Sequence, residues 1–186
     1  NSFAGSAYAD ACLSKGMKVI GINRSEPTSD IFQAFLSNKN ITNMHFIQAD
    51  LNKDFKKILT AMEDFKPSSI IDFAGQGMVA ESWENPDQWY QTNIVAKAKI
   101  HRYLIDVDYL EAYVRISTPE VYGSSENLIS ESSAMNPSTP YAVSHMATDL
   151  SILNFYNNFS FPVMIGRFAN FYGPHQQLYR IIPITI

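Results

Sequence analysis

Two stretches carry most of the chemistry in this chain. One reads Ser117-Thr118-Pro119-Glu120-Val121-Tyr122-Gly123, the other Pro140-Tyr141-Ala142-Val143-Ser144-His145. A hydroxyl at a strand end and a tyrosine entering the next helix can converge on one substrate oxygen. The phenolate can take a hydroxyl proton while hydride leaves the same carbon for a nicotinamide. Tyr141 and His145 are four apart, so both lie on one helix face. Taken alone, this pair reads first as a core tyrosine beside a surface histidine.

Two further spots suit a dinucleotide. Asn1-Ser2-Phe3-Ala4-Gly5-Ser6 leads into a helix, whose free N–H groups and positive dipole end attract phosphate. Gly5 is its one glycine, and by itself the segment reads as a plain helix start. Ile22-Asn23-Arg24-Ser25 closes the next strand, where dinucleotide folds meet the adenosine ribose. An acid there favours NAD and a nearby arginine takes the 2′-phosphate of NADP. Asn23 with Arg24 leans toward NADP tolerance, and a solvated surface arginine reads equally well. Asp50 and Leu51, after the following strand, are placed to touch the adenine.

Such groups need a scaffold, and the hydrophobic pattern supplies one. Short apolar runs at 18–22, 45–48, 69–74, 112–117 and 161–166 have the near-continuous character of strands buried on both faces. Helical stretches lie between them. Residues 4–15 place Ala4, Tyr8, Ala11 and Cys12 on one face, with Gly16 as a stop. Residues 55–65 carry Ile58, Leu59 and Met62. Residues 89–107 carry Ile94, Ala98 and Ile105, and residues 141–157 carry Met146, Leu150 and Leu153. Strands alternating with helices imply right-handed crossovers and the α/β plan: a Rossmann-like doubly wound parallel sheet with helices on both faces. Both ends look truncated. The first strand is expected to be missing, which would leave a central gap in the sheet. Residues 1–174 are expected to form the dinucleotide-binding domain and 175–186 to begin the substrate-binding region.

Composition narrows the classes. The chain has 18 acidic against 14 basic residues and a net charge of −4, which argues against nucleic acid as a partner. A single cysteine, Cys12, supplies neither a disulfide nor a zinc site, so no metal is expected. No apolar run is long enough to cross a bilayer, and no signal peptide opens the chain. A reducing, cytoplasmic setting is expected.

Several motifs in order make the resemblance specific. The chain resembles the extended short-chain dehydrogenase/reductases of the nucleotide-sugar epimerase/dehydratase family over nearly all of its residues. Asn1–Ser6 resembles the end of the T-G-x-x-G-x-x-G loop, with Ser2 where the middle glycine is usual. Asp72-Phe73-Ala74-Gly75-Gln76 resembles the H-x-A-A segment lining the cofactor. Thr92-Asn93 resembles the T-N pair before the central helix. Arg167-Phe168-Ala169-Asn170-Phe171-Tyr172-Gly173-Pro174 is similar to R-x-x-N-x-Y-G-P.

The resemblance implies NAD as cofactor, with NADP as the alternative. It implies cofactor contacts from Ser2, Phe3, Ala4, Gly5, Asn23, Arg24, Asp50, Leu51, Phe73, Ala74, Gly75, Gln76, Asn93, Ser117, Tyr141 and His145. Thr118 would hold the sugar 4-hydroxyl, Tyr141 would be the acid/base, and Asn170 and Arg180 would meet the sugar diphosphate. His145 stands in the position of the family's lysine, so tyrosine activation is expected to be weaker unless a nearby acid keeps the imidazole charged. The 4,6-dehydratases of the family have a glutamate where Glu120 stands, which removes the C5 proton; epimerases need no such base. Pro119 replaces the acid of the Asp-type enzymes. The resemblance therefore points to a nucleotide-sugar 4,6-dehydratase. The alternatives are a 4-epimerase or decarboxylase, or a non-catalytic dinucleotide-binding protein. A homodimer through helices 89–107 and 141–157 is also implied.

Overall fold

The computed structural model describes residues 2–27 and 29–186, so Asn1 of the expected phosphate loop lies outside the described residues. Helices and strands alternate along the chain: α1 (Phe3–Ser14), β1 (Val19–Asn23), β2 (Met44–Gln48), α2 (Phe55–Phe65), β3 (Ser69–Asp72), α3 (Pro86–Trp89), α4 (Lys97–Leu104), β4 (Ala112–Ser117), α5 (Pro140–Phe159), β5 (Val163–Arg167) and α6 (Ile181–Thr185). A π-helical segment, Tyr90–Ala96, joins α3 to α4. The expected long helix 89–107 is therefore one rod of mixed winding that starts and stops a few residues earlier.

All strand pairs are parallel, as expected for a Rossmann-like α/β fold. β1 pairs with β2 from Val19↔Met44 to Asn23↔Gln48. β4 lies between β3 and β5, with Ser69 opposite Ala112 and Ser117 opposite Arg167. Among the described residues no ladder joins these two sheets. The chain forms two compact units. One holds the N-terminal residues through Phe65 together with Asn170–Ile186, and the other holds Lys66–Ala169.

The first unit is built on a small apolar core of Ala9, Leu13 and Phe35, with Val19, Ile41 and Met44 against it. This corrects the expected face of α1. Tyr8 is exposed, and Ser6, Ala9 and Leu13 face inward. A helix rich in alanine has little apolar periodicity, so its one large aliphatic side chain decides the face. Ser6 is buried because its hydroxyl accepts from the Ala34 N–H at 2.7 Å.

The second unit departs further from the pattern. The buried side of α5 is Ala142, Ser144, His145, Thr148, Asp149 and Ile152, while Leu150 is exposed and Met146 and Leu153 are half-buried. Asn93, Lys97 and His101 are buried on the π segment and α4, where Ile94, Ala98 and Ile105 are only half-buried. Strand β4 alternates, burying Tyr113, Arg115 and Ser117. The other strands are half-buried along most of their length instead of hidden on both faces.

Local chemistry explains the ends of α5. Thr139 caps its start, accepting from the Ala142 N–H at 3.1 Å, and Pro140 takes the first helical position. Ser160 ends it in the left-handed region at φ 55°. An L side chain pays a steric cost there that glycine avoids. Ser160→Gly should therefore stabilise the fold by about 0.5–1 kcal/mol, seen as a raised thermal midpoint.

Candidate active site

Each strand of the second unit delivers a polar group from its C-terminal end. Asp72 closes β3, Ser117 closes β4 and Arg167 closes β5. Lys97 reaches back to Asp72, donating to its Oδ2 at 2.7 Å and to the Ala74 carbonyl. Asp149 of α5 accepts from Ser117 Oγ at 2.8 Å and from Arg167 Nε at 3.2 Å. Arg115 lies between these groups, with Nε 3.6 Å from Asp149 Oδ1 and Nη1 3.9 Å from Asp72 Oδ2. Asp72, Lys97, Arg115 and Asp149 are all buried.

Burial and pairing pull these groups in opposite directions. Burial alone would raise the Asp72 pKa, but Lys97 and Arg115 bring it below its ordinary value. Burial, with the Arg115 charge, brings Lys97 down to about 8, so it still carries its proton at neutral pH. Burial holds the Asp149 pKa up despite Arg115, Ser117 and Arg167.

Above this network lie the expected catalytic residues. Thr118 is buried and caps a single 3₁₀ turn, Pro119–Tyr122, accepting from the Glu120 N–H at 3.3 Å. Glu120 is exposed on that turn. Tyr141 is half-buried in the first turn of α5, and its N–H donates to Ser82 Oγ at 3.2 Å. Burial raises the Tyr141 pKa and the Glu120 charge raises it further. A hydrogen bond with Thr118 and the charge of Arg115 pull it down. Tyr141 is thus within hydrogen-bonding reach of Thr118 and feels the charge of Glu120.

His145 packs its ring 4.5 Å from that of Tyr141, centroid to centroid. It is 8% exposed, so it is not the surface histidine that the pair alone would suggest. Burial, Arg115 and Lys97 together bring its pKa down to about 3. Asp72 pulls the other way but does not offset these effects, and the side-chain contact at His145 Nδ1 is with Arg115, whose Nη2 lies 3.0 Å away.

The expected cofactor residues fall into both units. In the second, the Ala74–Gln76 loop is held from below. Ala74 N–H donates to Asp72 Oδ1 at 3.2 Å, and Gln76 N–H donates to Asn93 Oδ1 at 2.7 Å. Asn93 also donates to the Gln76 carbonyl and to Ser144 Oγ, so its amide braces the loop against α5. A Cβ on Gly75 would come within 3.2 Å of that amide. Phe73 is half-buried, and the Ser117 hydroxyl proton is committed to Asp149.

In the first unit, Ser2 is the N-cap of α1 and accepts from the Gly5 N–H at 3.1 Å. The Phe3 and Ala4 N–H groups have no acceptor among the described residues, which fits an anion at this helix start. Asn23 donates to the Ser25 carbonyl at 3.0 Å, and Arg24 is exposed. Asp50 accepts from the Asn52 N–H in the half-buried turn that also holds Leu51. Asn170 is exposed, and the Arg180 guanidinium lies 5.1 Å over the Tyr179 ring.

Sequence reading assigned no role to Lys97, Arg115 or Asp149, and placed Asp72 only as the first residue of the segment resembling the cofactor-lining H-x-A-A. A lysine and an aspartate inside helices that also carry apolar residues look like solvated positions. Only the contacts between strands and helices reveal them as a network.

Two expectations follow. Lys97→Met should destabilise the fold by about 3 kcal/mol or more, because it strands a buried carboxylate; adding Asp72→Asn should recover part of the loss in denaturant titrations. Stability should also fall as pH drops from about 6.5. His145 and His101 are held near 3 and 4 in the fold, so the unfolded chain binds more protons over that window. Each histidine can contribute up to about 1.4 kcal/mol per pH unit there, measurable by chemical unfolding at pH 7, 6 and 5.

Known proteins resemble this chain in sequence and in fold. The family model for GDP-mannose 4,6 dehydratase matches residues 2–185. A dTDP-D-glucose 4,6-dehydratase from Mus musculus is 33% identical over 153 residues, covering 80% of this chain and 41% of its own. A dTDP-glucose 4,6-dehydratase from Xanthomonas campestris pv. campestris is 24% identical and covers 99% of this chain and 55% of its own. The chain thus spans about half the length of these curated relatives. A UDP-glucuronic acid 4-epimerase from Bacillus cereus, solved with UDP-glucuronic acid and NAD, superposes with a TM-score of 0.79 at 25% identity. That match covers 98% of this chain and 58% of the epimerase. The dTDP-glucose 4,6-dehydratase DesIV from Streptomyces venezuelae, solved with NAD, shares the fold with a TM-score of 0.77 at 24% identity, covering 98% of this chain and 56% of its own. With strand-end groups, a tyrosine-bearing helix and a match over almost its whole length, the chain belongs to the GDP-mannose 4,6 dehydratase family of NAD-dependent epimerases and dehydratases.

Proposed function

We propose that the protein to which this chain belongs is a nucleotide-sugar 4,6-dehydratase working with bound NAD, and that it converts a nucleotide hexose to its 4-keto-6-deoxy form. The observation that carries the reading is the grouping of Thr118, Glu120 and Tyr141 around one strand end and one helix start, with Glu120 close enough to raise the Tyr141 pKa. An epimerase needs the hydroxyl and the tyrosine but not the carboxylate.

The chain's residues fit the cofactor within each unit taken by itself. In the first, the Phe3 and Ala4 N–H groups have no acceptor among the described residues, which suits a phosphate; in the second, Asn93 and Lys97 brace the Ala74–Gln76 loop. When bound, NAD supplies the hydride acceptor for oxidation at C4 and the hydride donor for reduction at C6. Thr118 holds the 4-hydroxyl, and Tyr141 takes its proton. Once C4 is a ketone the C5 proton is acidic, and Glu120 removes it. The C6 hydroxyl then leaves as water. Pro119 has no proton to give, so either Glu120 or a water molecule supplies the proton for the leaving hydroxyl. Asn170 and Arg180 would meet the diphosphate, an assignment that rests on their motif positions.

A homodimer in a cytoplasmic setting completes the proposal. The exposed Val95, Leu150, Tyr156 and Phe159 give the segment 89–107 and α5 apolar outward residues that pairing would cover. Cys12 is a free thiol, in keeping with a reducing compartment. No described helix is long and apolar enough to cross a membrane.

The test is product mass. The intact protein incubated with a panel of nucleotide hexoses should yield a product lighter by one water. Glu120→Gln should lose at least about a hundredfold of that rate. Unchanged product mass from every sugar, with C4 inverted, would establish the epimerase; full water loss by Glu120→Gln would exclude Glu120 as the base.

A further inference from the structure

Arginine stays protonated in proteins and has only donors to offer. Arg115 Nη2 lies 3.0 Å from His145 Nδ1, with both side chains buried. Nδ1 must therefore accept, and an imidazole that accepts at Nδ1 is neutral with its proton on Nε2. The guanidinium cannot swing away easily. Its Nη1 donates to the Ile116 carbonyl and faces Asp72, and its Nε faces Asp149.

The charge count of the cluster points the same way. Lys97, Arg115 and Arg167 are set against Asp72 and Asp149, which leaves one positive charge in excess in the network, and the exposed Glu120 carboxylate acts on the tyrosine from the neighbouring turn. Lys97 is turned into Asp72 and the Ala74 carbonyl, and Arg167 into Asp149 and the Tyr122 hydroxyl, to which Nη1 donates at 2.8 Å. Arg115 is the cation in direct contact with the residue that occupies the family's lysine position.

We propose that Arg115 is a positioning residue of this centre: it fixes His145 as the neutral Nε2–H tautomer and supplies, from β4, the standing positive charge that the family's lysine would carry on α5. Histidine and arginine together thus divide one lysine's work. His145 keeps a donor on the helix face, and Arg115 keeps the charge. The inference rests on the proposed role of Tyr141 as acid/base, yet it can be examined without substrate or cofactor. It also predicts what a lysine would do at position 145. Beside Arg115 it would bury a second cation within a few ångströms, an unfavourable contact.

The charged groups acting on His145 and Tyr141 are Asp72 of β3, Lys97 of α4, Arg115 of β4 and Glu120 of the following turn, with Asp149 of α5 beside Arg115 and paired to Arg167 of β5, so the experiment varies Arg115 and position 145 while leaving the others intact. First, nitrogen NMR on the histidine-labelled chain should show His145 with an unprotonated Nδ1 and a protonated Nε2, unchanged from pH 8 to pH 5. A proton on Nδ1, or titration near pH 6.5, overturns the proposal without touching the dehydratase reading. This measurement needs no variant, so it decides even if Arg115 variants fail to fold.

Second, the Tyr141 phenol is titrated by carbon NMR of labelled tyrosine. Arg115→Met should raise its pKa by about one unit. The double variant Arg115→Met/His145→Lys should bring it back to the starting value, whereas His145→Lys alone should lower stability. If His145→Lys alone is as stable as the parent and shifts Tyr141 equally with and without Arg115, the two positions are independent and the proposal falls. Loss of dehydratase activity with the tautomer and the tyrosine shifts intact would count against the proposed function and not against this pairing.

Discussion

The second unit depends on one constraint: ionised groups placed out of water must be paired. Asp72, Lys97, Arg115 and Asp149 are each at most 8% exposed. Leaving any of them alone would cost several kcal/mol. Two strands and two helices each contribute one of the four, and Arg167 of β5 joins them at Asp149. The parallel register therefore sets Arg115 opposite Asp72 on one side and opposite Ile165 on the other, with Ser117 reaching Arg167 at the next step. A one-residue slip would send these side chains to the opposite face of the sheet and break every pair. An ion network of this kind contributes little net stability over an apolar core, but it tolerates few alternative arrangements.

From this follows the unusual lining of α4 and α5. Their inward faces carry Lys97 and His101, and Ser144, His145, Thr148 and Asp149, while large apolar residues such as Leu150 and Tyr156 point outward. Apolar packing is not absent. His101 lies edge-on to Tyr113 at 5.1 Å and packs beside Phe161 and Phe155. These aromatics pack around the buried His101 ring. Thr148 donates to the Asn93 and Ser144 carbonyls, so even the helix backbones are tied through side chains.

The candidate site inherits its rigidity from that layer. The Ala74–Gln76 loop is held by Asp72, Lys97 and Asn93, and the start of α5 by Ser82 and Thr139. Gly123 ends the Thr118–Tyr122 turn at φ 69°, where a Cβ would sit 2.2 Å from the Asn136 carbonyl oxygen. The glycine of that motif is thus a place where two backbones cross, which holds the turn bearing Thr118 and Glu120 in place. None of these braces touches the reacting groups directly. They act by limiting where those groups can move, which is how a site keeps its geometry before substrate arrives.

The amino-acid sequence by itself determined the α/β plan, the approximate bounds of its elements and the identity of Thr118, Glu120, Tyr141 and His145 as residues at strand and helix ends. Those features are local. Turn chemistry, capping by Ser2 and Thr139, and motif spacing act within a few residues of chain. The apolar face of α2, with Ile58 and Met62 inward, was legible in the sequence, but the inward face of α5 and the burial of Lys97 and His101 on α4 were decided only by tertiary structure. Many of those inward residues are polar, and a polar residue looks the same in the sequence whether it meets water or a buried partner. The same holds for the protonation state of His145. An isolated histidine reads as a weak base near neutrality. It becomes a fixed neutral acceptor only because Arg115, thirty residues earlier, is brought within 3.0 Å by the packing of β4 against α5.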